Sequence, residues 1–319
     1  MGHRLWKPSE PDDGTSRVNA RREEGQAVVM TILFLVALIG CAVLVLDVGS
    51  WFRDKRQLQT AADAAALAGA QSLPNNPAGA NALAVQYGTS NGGGVTSGNV
   101  IVSSGLTAND TISVHATNSA PGFFSNVFGI KSVTVGASAV ARSEVPAQAL
   151  YVAPMVVRNT HPLLAGSGCP CFNQQTTLNF DPMGAPGAFG MLNLSGGSGT
   201  VGASTEGNWI LNGYNQYLPL GSYKSDPGAK FSSANVQNAL QARENTVLLF
   251  PVFNTLTGSG QNAVYNIIGW VGFYLQSFSV HGNTASLQGY FTTFIAHGIQ
   301  ATTAPTQPDF GVHSIQLIH

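Results

Sequence analysis

The chain has 319 residues, 44% of them hydrophobic and only 9% charged, with a formal net charge of −1. That apolar content excludes global disorder, which needs low hydrophobicity and high charge, and the near-zero charge excludes the broad basic footprint of a nucleic-acid binder. The 37 glycines lack the three-residue period of collagen, so they point to turns in a loop-rich β fold, and the length allows about two domains.

Charge is distributed unevenly. Eight of the fourteen Lys and Arg residues precede position 57: Arg4, Lys7, Arg17, Arg21, Arg22, Arg53, Lys55 and Arg56. The remainder carries about one charge in twenty residues against the usual quarter, a surface of Ser, Thr, Asn, Gln and Gly that suits an exported module.

After a tail over 1–26, residues 27–46 read AVVMTILFLVALIGCAVLVL without a charge. Twenty helical residues at about 1.5 Å each match a hydrocarbon core of about 30 Å, so this segment reads as one transmembrane helix. Arg17, Arg21 and Arg22 before it balance Arg53, Lys55 and Arg56 after it. Arg4, Lys7 and the charge-poor bulk beyond the span favour a cytoplasmic N-terminus and an extracytoplasmic C-terminal region. The apolar run ends at Asp47 without a small-x-small cleavage site, which reads as an uncleaved signal-anchor. Leu38-Ile39-Gly40-Cys41 has the form of a lipobox, whose cleavage would leave Cys41 as a lipidated N-terminus.

Beyond Asp47-Val48-Gly49-Ser50, the stretch RDKRQLQTAADAAALAGAQSLP has no proline before Pro74, so the helix is expected to continue to Leu73. Its alanines leave little side-chain bulk. Ala61, Ala62, Asp63, Ala65, Ala66 and Gly69 are candidate close-packing contacts with a partner helix, or with the sheet of the helix's own domain.

These residues resemble a known family. Arg22-Glu23-Glu24-Gly25-Gln26-Ala27, the span, Asp47-Val48-Gly49, Gln57-Leu58-Gln59 and Ala61-Ala62-Asp63-Ala64-Ala65-Ala66-Leu67-Ala68-Gly69-Ala70 are similar to the N-terminal segment of TadE/TadG-like proteins, associated with Flp (tight-adherence) pilus assembly. The resemblance continues to about Glu144 through a short helix (78–87), two strands, a Pro-Gly-Phe-Phe turn (121–124) and a strand ending Ala-Val-Ala-Arg. APGAFG (185–190) and FPVFN followed by YNIIGW resemble C-terminal regions of some TadG-like surface proteins. The resemblance implies the membrane and pilus or surface proteins as partners. Two family features are missing: there is no Asp-x-Ser-x-Ser metal triplet, and the fifth residue after Gly25 is Met30 rather than the glutamate of a prepilin site.

NVIVS, TISVHAT and SVTVGASAV alternate like half-buried strands. With the preceding helices they predict a small α+β domain over 47–145, closed by the linker Val145-Pro146-Ala147. Residues 146–319 predict a mainly-β domain, a sandwich or roll, from YVAPMVV, TTLNF, TVLLFPVF, YNIIGWVGFYLQSFSV, SLQGYFTTFIAHG and HSIQLI; only 235–243 reads as helix there. The fold class is α+β.

Little chemistry emerges. Cys169-Pro170-Cys171 is a candidate disulfide, although a bridge across one residue is tight; metal binding there has only His161 as a further ligand. Gly88-Thr89-Ser90-Asn91-Gly92 matches G-x-S-x-G but follows a helix rather than a strand, so it reads as a helix-ending loop. Gly258-Ser259-Gly260 lies between strands and reads as a hairpin. His115, His281, His297 and His313 have no acid at informative spacing. Trp270, Phe273, Tyr274, Phe278, Tyr290, Phe291 and Phe294 read as sheet core rather than a ligand platform. The sequence calls for no cofactor and no catalytic site. It predicts a non-enzymatic membrane-anchored component of pilus assembly or surface display, the different-class alternative being an exported carbohydrate-binding module or hydrolase carried by the C-terminal β domain.

Overall fold

The computed structural model describes residues 16–181, 190–197, 200–227, 230–296 and 307–318, with side chains from residue 25 onward except at 261. Arg4, Lys7, His297 and the APGAF of APGAFG lie outside the described residues. The protein is α+β. It divides into two compact units: residues up to Leu58 with Thr117–Ala137, and Gln59–Ala116 with residues from Ser138 onward.

Helix α1 (Ser16–Ala70) runs through the apolar segment and the alanine-rich segment without a break. Nothing in it interrupts a helix: no proline occurs, and alanine, leucine and glutamine predominate after the span. Gly25–Ala70 is the one helix among the described residues long and apolar enough to cross a membrane, and its most apolar window is unburied. Helix α2 (Pro77–Ser90) begins with a proline in its first turn and an Asn76 side chain that accepts the Gly79 N–H. It ends at Asn91, whose N–H bonds back to Tyr87 and Gly88 carbonyls, so the G-x-S-x-G residues are a helix terminus.

Strands β1 (Val100–Ser103), β2 (Thr111–Pro121) and β3 (Ser132–Glu144) follow, at the places where apolar and β-branched residues alternate. Strands β4 (Gln148–Ala149) and β5 (Val157–Arg158) are both short; between them YVAPMVV makes only isolated bridges at Val152 and Met155 before β5. Next come α3 (Pro162–Ala165), β6 (Gln175–Phe180), α4 (Ala203–Asn212), β7 (Leu218–Pro219), β8 (Gly221–Lys224) and α5 (Ala234–Ala242). The chain then enters β9 (Thr246–Thr257), β10 (Val264–His281), β11 (Thr284–Thr292), β12 (Phe294–Ile295) and β13 (Val312–Leu317). Gly258 and Gly260 lie in the turn between β9 and β10, both at positive φ.

The larger sheet has the order β5-β9-β10-β11-β6, with β8 also paired to β10. It is antiparallel except for β5 against β9. Both faces of its centre are covered. Tyr265, Ile267 and Trp270 enter one core; Val271, Phe273 and Leu275 enter the other, with Ile210 of α4 and Val236, Ala239 and Leu240 of α5. The switch of parity follows the register irregularity between Ile267 and Gly269, where an extra residue turns the alternation over. Helix α4 was not expected from the sequence; ASTEGNWILN carries Gly, Asn and Thr, and only burial of Trp209 and Ile210 makes it worthwhile.

The smaller sheet has the order β1-β2-β3-β13-β12. Strand β13 returns from the end of the described chain to pair antiparallel with β3, Ser314 opposite Glu144 and Leu317 opposite Ala141. Residues on either side of the Val145-Pro146-Ala147 segment therefore share one sheet.

Candidate functional site

The motif residues of α1 have definite tasks. Asp47, the first charge after the apolar run, is 2% exposed. Its carboxylate accepts backbone N–H groups of Phe123 at 3.1 Å, Phe124 at 3.1 and 3.3 Å, and Ser125 at 2.6 Å. Trp51, one turn on, donates its indole N–H to the Pro121 carbonyl at 3.2 Å. The turn that joins β2 to β3 is thus held by two side chains just past the span, both within the first unit. Within the second unit, Gln59 donates to Asp63 at 2.7 Å and to the Ser138 carbonyl at 3.0 Å, so these polar motif residues tie α1 to β3.

The small residues lie on the same stretch. Ala61, Ala62, Ala65 and Ala66 are fully buried, and Gly69 faces Ile112 of β2 and Ala80 and Ala84 of α2. The close-packing surface assigned from sequence is therefore filled by the chain itself, with Asp63 at its edge holding Gln59. A Cβ at Gly69 would stand 2.5 Å from Ile112 Cδ1 and 2.9 Å from the Ala80 carbonyl oxygen. The side chain can shift, but the carbonyl belongs to a helix backbone. Gly69→Ala is expected to cost about 1–3 kcal/mol by overpacking, read as a lower urea midpoint of the purified full chain with its helical circular dichroism retained.

Cys169 and Cys171 are bonded to each other, and Cys41 is a free thiol on the apolar segment. His161 is not free to join them: its Nδ1 accepts the Leu163 N–H, its Nε2 meets Thr176 Oγ1 at 3.3 Å, and its ring packs edge-on against Phe291. Burial holds its pKa below the usual imidazole value. Among the described residues no group of three His, Cys, Asp or Glu side chains is placed to hold a metal.

Three acidic centres went unseen in the sequence. Buried Asp110 accepts N–H groups from Gly105, Leu106 and Thr107 and the Thr111 hydroxyl, all at 2.6–2.7 Å. Burial works against its charge, but these donors outweigh burial and keep its pKa below the ordinary value. It lines a cavity of about 290 Å³ together with Glu144, Asp309 and His313. His313 is buried and meets Asp309 at 3.0 Å, while Glu144 pairs with Arg142 at 3.2 Å.

The third centre is Glu206, Asp226 and Lys230. Both carboxyl groups are fully buried. Lys230 contacts Asp226 and the Val201 carbonyl directly and stands 3.7 Å from Glu206. Burial, followed by the neighbouring Asp226 carboxyl, pushes Glu206 up to about 10, with Lys230 opposing. Glu206 is therefore held as a neutral acid at pH 7. Both carboxyl groups are sealed from solvent and so from any substrate. Asp226 and Lys230 are spaced i, i+4, a weak local sign; Glu206 reaches them only through the fold.

The aromatic run divides by burial. Trp270, Phe273 and Phe291 are core, whereas Tyr274 and Tyr290 stack at 4.9 Å in half-exposed positions.

Comparison with known families places the first half of this description. Residues 25–72 match the family model described as "Putative Flp pilus-assembly TadE/G-like", and residues 50–141 match "Putative Tad-like Flp pilus-assembly". No curated protein and no solved structure matches the chain. The matched residues contain Asp47, Trp51, Gln59, Asp63 and the buried alanines, the side chains that join α1 to β2, β3 and α2. Over residues 25–141 the chain is thus similar to the TadE/TadG-like families of Flp pilus-assembly proteins.

Proposed function

We propose that the protein is a non-enzymatic, single-pass membrane component of Flp pilus assembly or surface display, with residues 1–26 cytoplasmic, 27–46 in the bilayer, and 47–145 and 146–319 outside as two domains. The observation that supports it best is α1 itself: an unburied apolar segment continues as one helix into a folded region that matches the family. Charge scarcity beyond position 57 supports the outward orientation. The buried small-residue face of α1 is committed to its own fold, so pilus-system partners meet other surfaces. Asp110, Asp309 and His313, which line one cavity, and the buried Glu206 and Asp226 are structural centres in this reading.

Membrane fractionation tests the anchor: the full-length chain should stay with the membranes through high-salt and carbonate washes, and release would overturn the proposal. Protease added outside intact spheroplasts should digest residues beyond 47 and spare a fragment containing the tail and span. The reverse protection pattern would reverse the orientation. Co-purification from native membranes should recover other pilus-assembly proteins.

A further inference from the structure

The turn between β2 and β3 carries an unusual surface. Within ten residues it exposes Phe123 (67%), Phe124, Val127 (84%), Phe128 (81%) and Ile130. It is nonetheless an ordered element: a 3-10 turn over Ser125–Phe128 ends at Gly129 with φ of 87°, Ile130 N–H bonds the Ser125 carbonyl, and Gly122 N–H bonds the Lys131 carbonyl. Asp47 and Trp51 hold this turn at the end of the apolar run, and Phe128 and Ile130 line one apolar cavity with Gly40, Val43 and Leu44 of the run itself. Gly40 precedes Asp47 by two helical turns, a depth of about 10 Å along the helix.

Single exposed apolar side chains need no explanation, but a contiguous cluster of this size does. The surroundings name its occupant. The cluster is continuous with side chains that face lipid if α1 spans a bilayer; Trp51 lines the same cavity, and Arg53, Lys55 and Lys131 follow the span and the cluster in sequence, an indole and cations being the groups expected at the headgroup level. Resting on the membrane reading of α1, we propose that residues 123–130 form a second membrane contact, an apolar wedge inserted into the leaflet on the side where Asp47 ends the span, and that Asp47 clamps it in place. Its ligand is the boundary between lipid acyl chains and headgroups.

Nitroxide depth measurements on the full chain test this. In a Cys41→Ala background, with the Cys169–Cys171 bridge left oxidised, single labels are placed by Val127→Cys, Leu38→Cys and Asn283→Cys in vesicles of phosphatidylcholine and phosphatidylglycerol. Leu38 lies within the apolar run, and Asn283 is an exposed turn residue between β10 and β11. The label at position 127 should collide with dissolved oxygen in preference to an aqueous nickel chelate, as at position 38, while position 283 shows the opposite. Asp47→Ala should shift the signal at position 127 toward that of position 283. Nickel accessibility at 127 equal to that at 283, with 38 still in lipid, would overturn the wedge and leave the span standing. An aqueous signal at 38 would overturn the span and the wedge together. Unchanged depth at 127 in Asp47→Ala would overturn the clamp.

Discussion

Phe273→Ala should cost the protein about 3–5 kcal/mol of stability, the range for emptying a large aromatic site in a packed core. Phe273 is fully buried at the centre of β10, stacked on Phe250 at 5.6 Å and set edge-on to Phe291 at 5.6 Å. Its strand has β9 on one side and β11 on the other, and α5 contributes Val236, Ala239 and Leu240 to the same core. Its neighbours on β9 and β11 are fixed by strand register, so the vacated volume can close only in part. The measurement is the urea midpoint of the full chain in detergent, followed by near-ultraviolet circular dichroism, with the slope unchanged. Tyr274→Ala is the control: that ring stacks on Tyr290 and is only partly buried, so its removal should cost less. Equal losses for the two would mean that the two faces of β10 are not packed as described.

The second large effect is a gain. Glu206→Gln should stabilise the protein by about 3 kcal/mol at pH 7 and by almost nothing at pH 4.5. The sign follows from the direction of the shift. Glu206 rises from 4.5 to about 10 on folding, so between those values the native state binds a proton that the unfolded state has released. Stability from this group is complete below pH 4.5 and declines by about 1.4 kcal/mol per pH unit as pH rises toward 10. Glutamine keeps the shape and the neutral state without taking up a proton. Asp110 and Asp309 act in the opposite sense, since their folded pKa values are lowered and their contribution is lost as pH falls through them. Comparing wild type with Glu206→Gln at each pH cancels those two. A difference that stays constant from pH 4.5 to 8 would show that Glu206 is ionised in the fold.

Sequence showed most of the local structure and little of the long-range structure, for one reason. The apolar run, the alanine-rich helix and strands such as TISVHAT and TVLLFPVF carry their periodicity within a dozen residues, so they could be read directly. Helix α4 could not, because its stability comes from Trp209 and Ile210 meeting cores built from strands distant from it in the chain on both sides, β5 and β6 before it and β9, β10 and β11 after it. Likewise, Asp47 reads as the end of a span, and nothing in its neighbours shows that it captures three backbone N–H groups from a turn more than seventy residues away. The small residues of α1 showed that something packs closely there. Whether it was another chain or this one depended on where β2 and α2 fold back, information held in the topology.

The return of β13 to the edge of β3 also bears on the order in which the protein can be finished. In the proposed orientation the chain leaves the cytoplasm from its anchored end, so β3 emerges long before the strand that covers it. Until residues 312–317 follow, β3 offers a row of bare amides and carbonyls to the periplasmic or external space. A chain stalled or clipped before that point would keep its anchor and most of its core yet carry an open edge, able to accept a strand from another copy or a chaperone. Delivery of residues 312–317 to that edge thus closes the smaller sheet along β3.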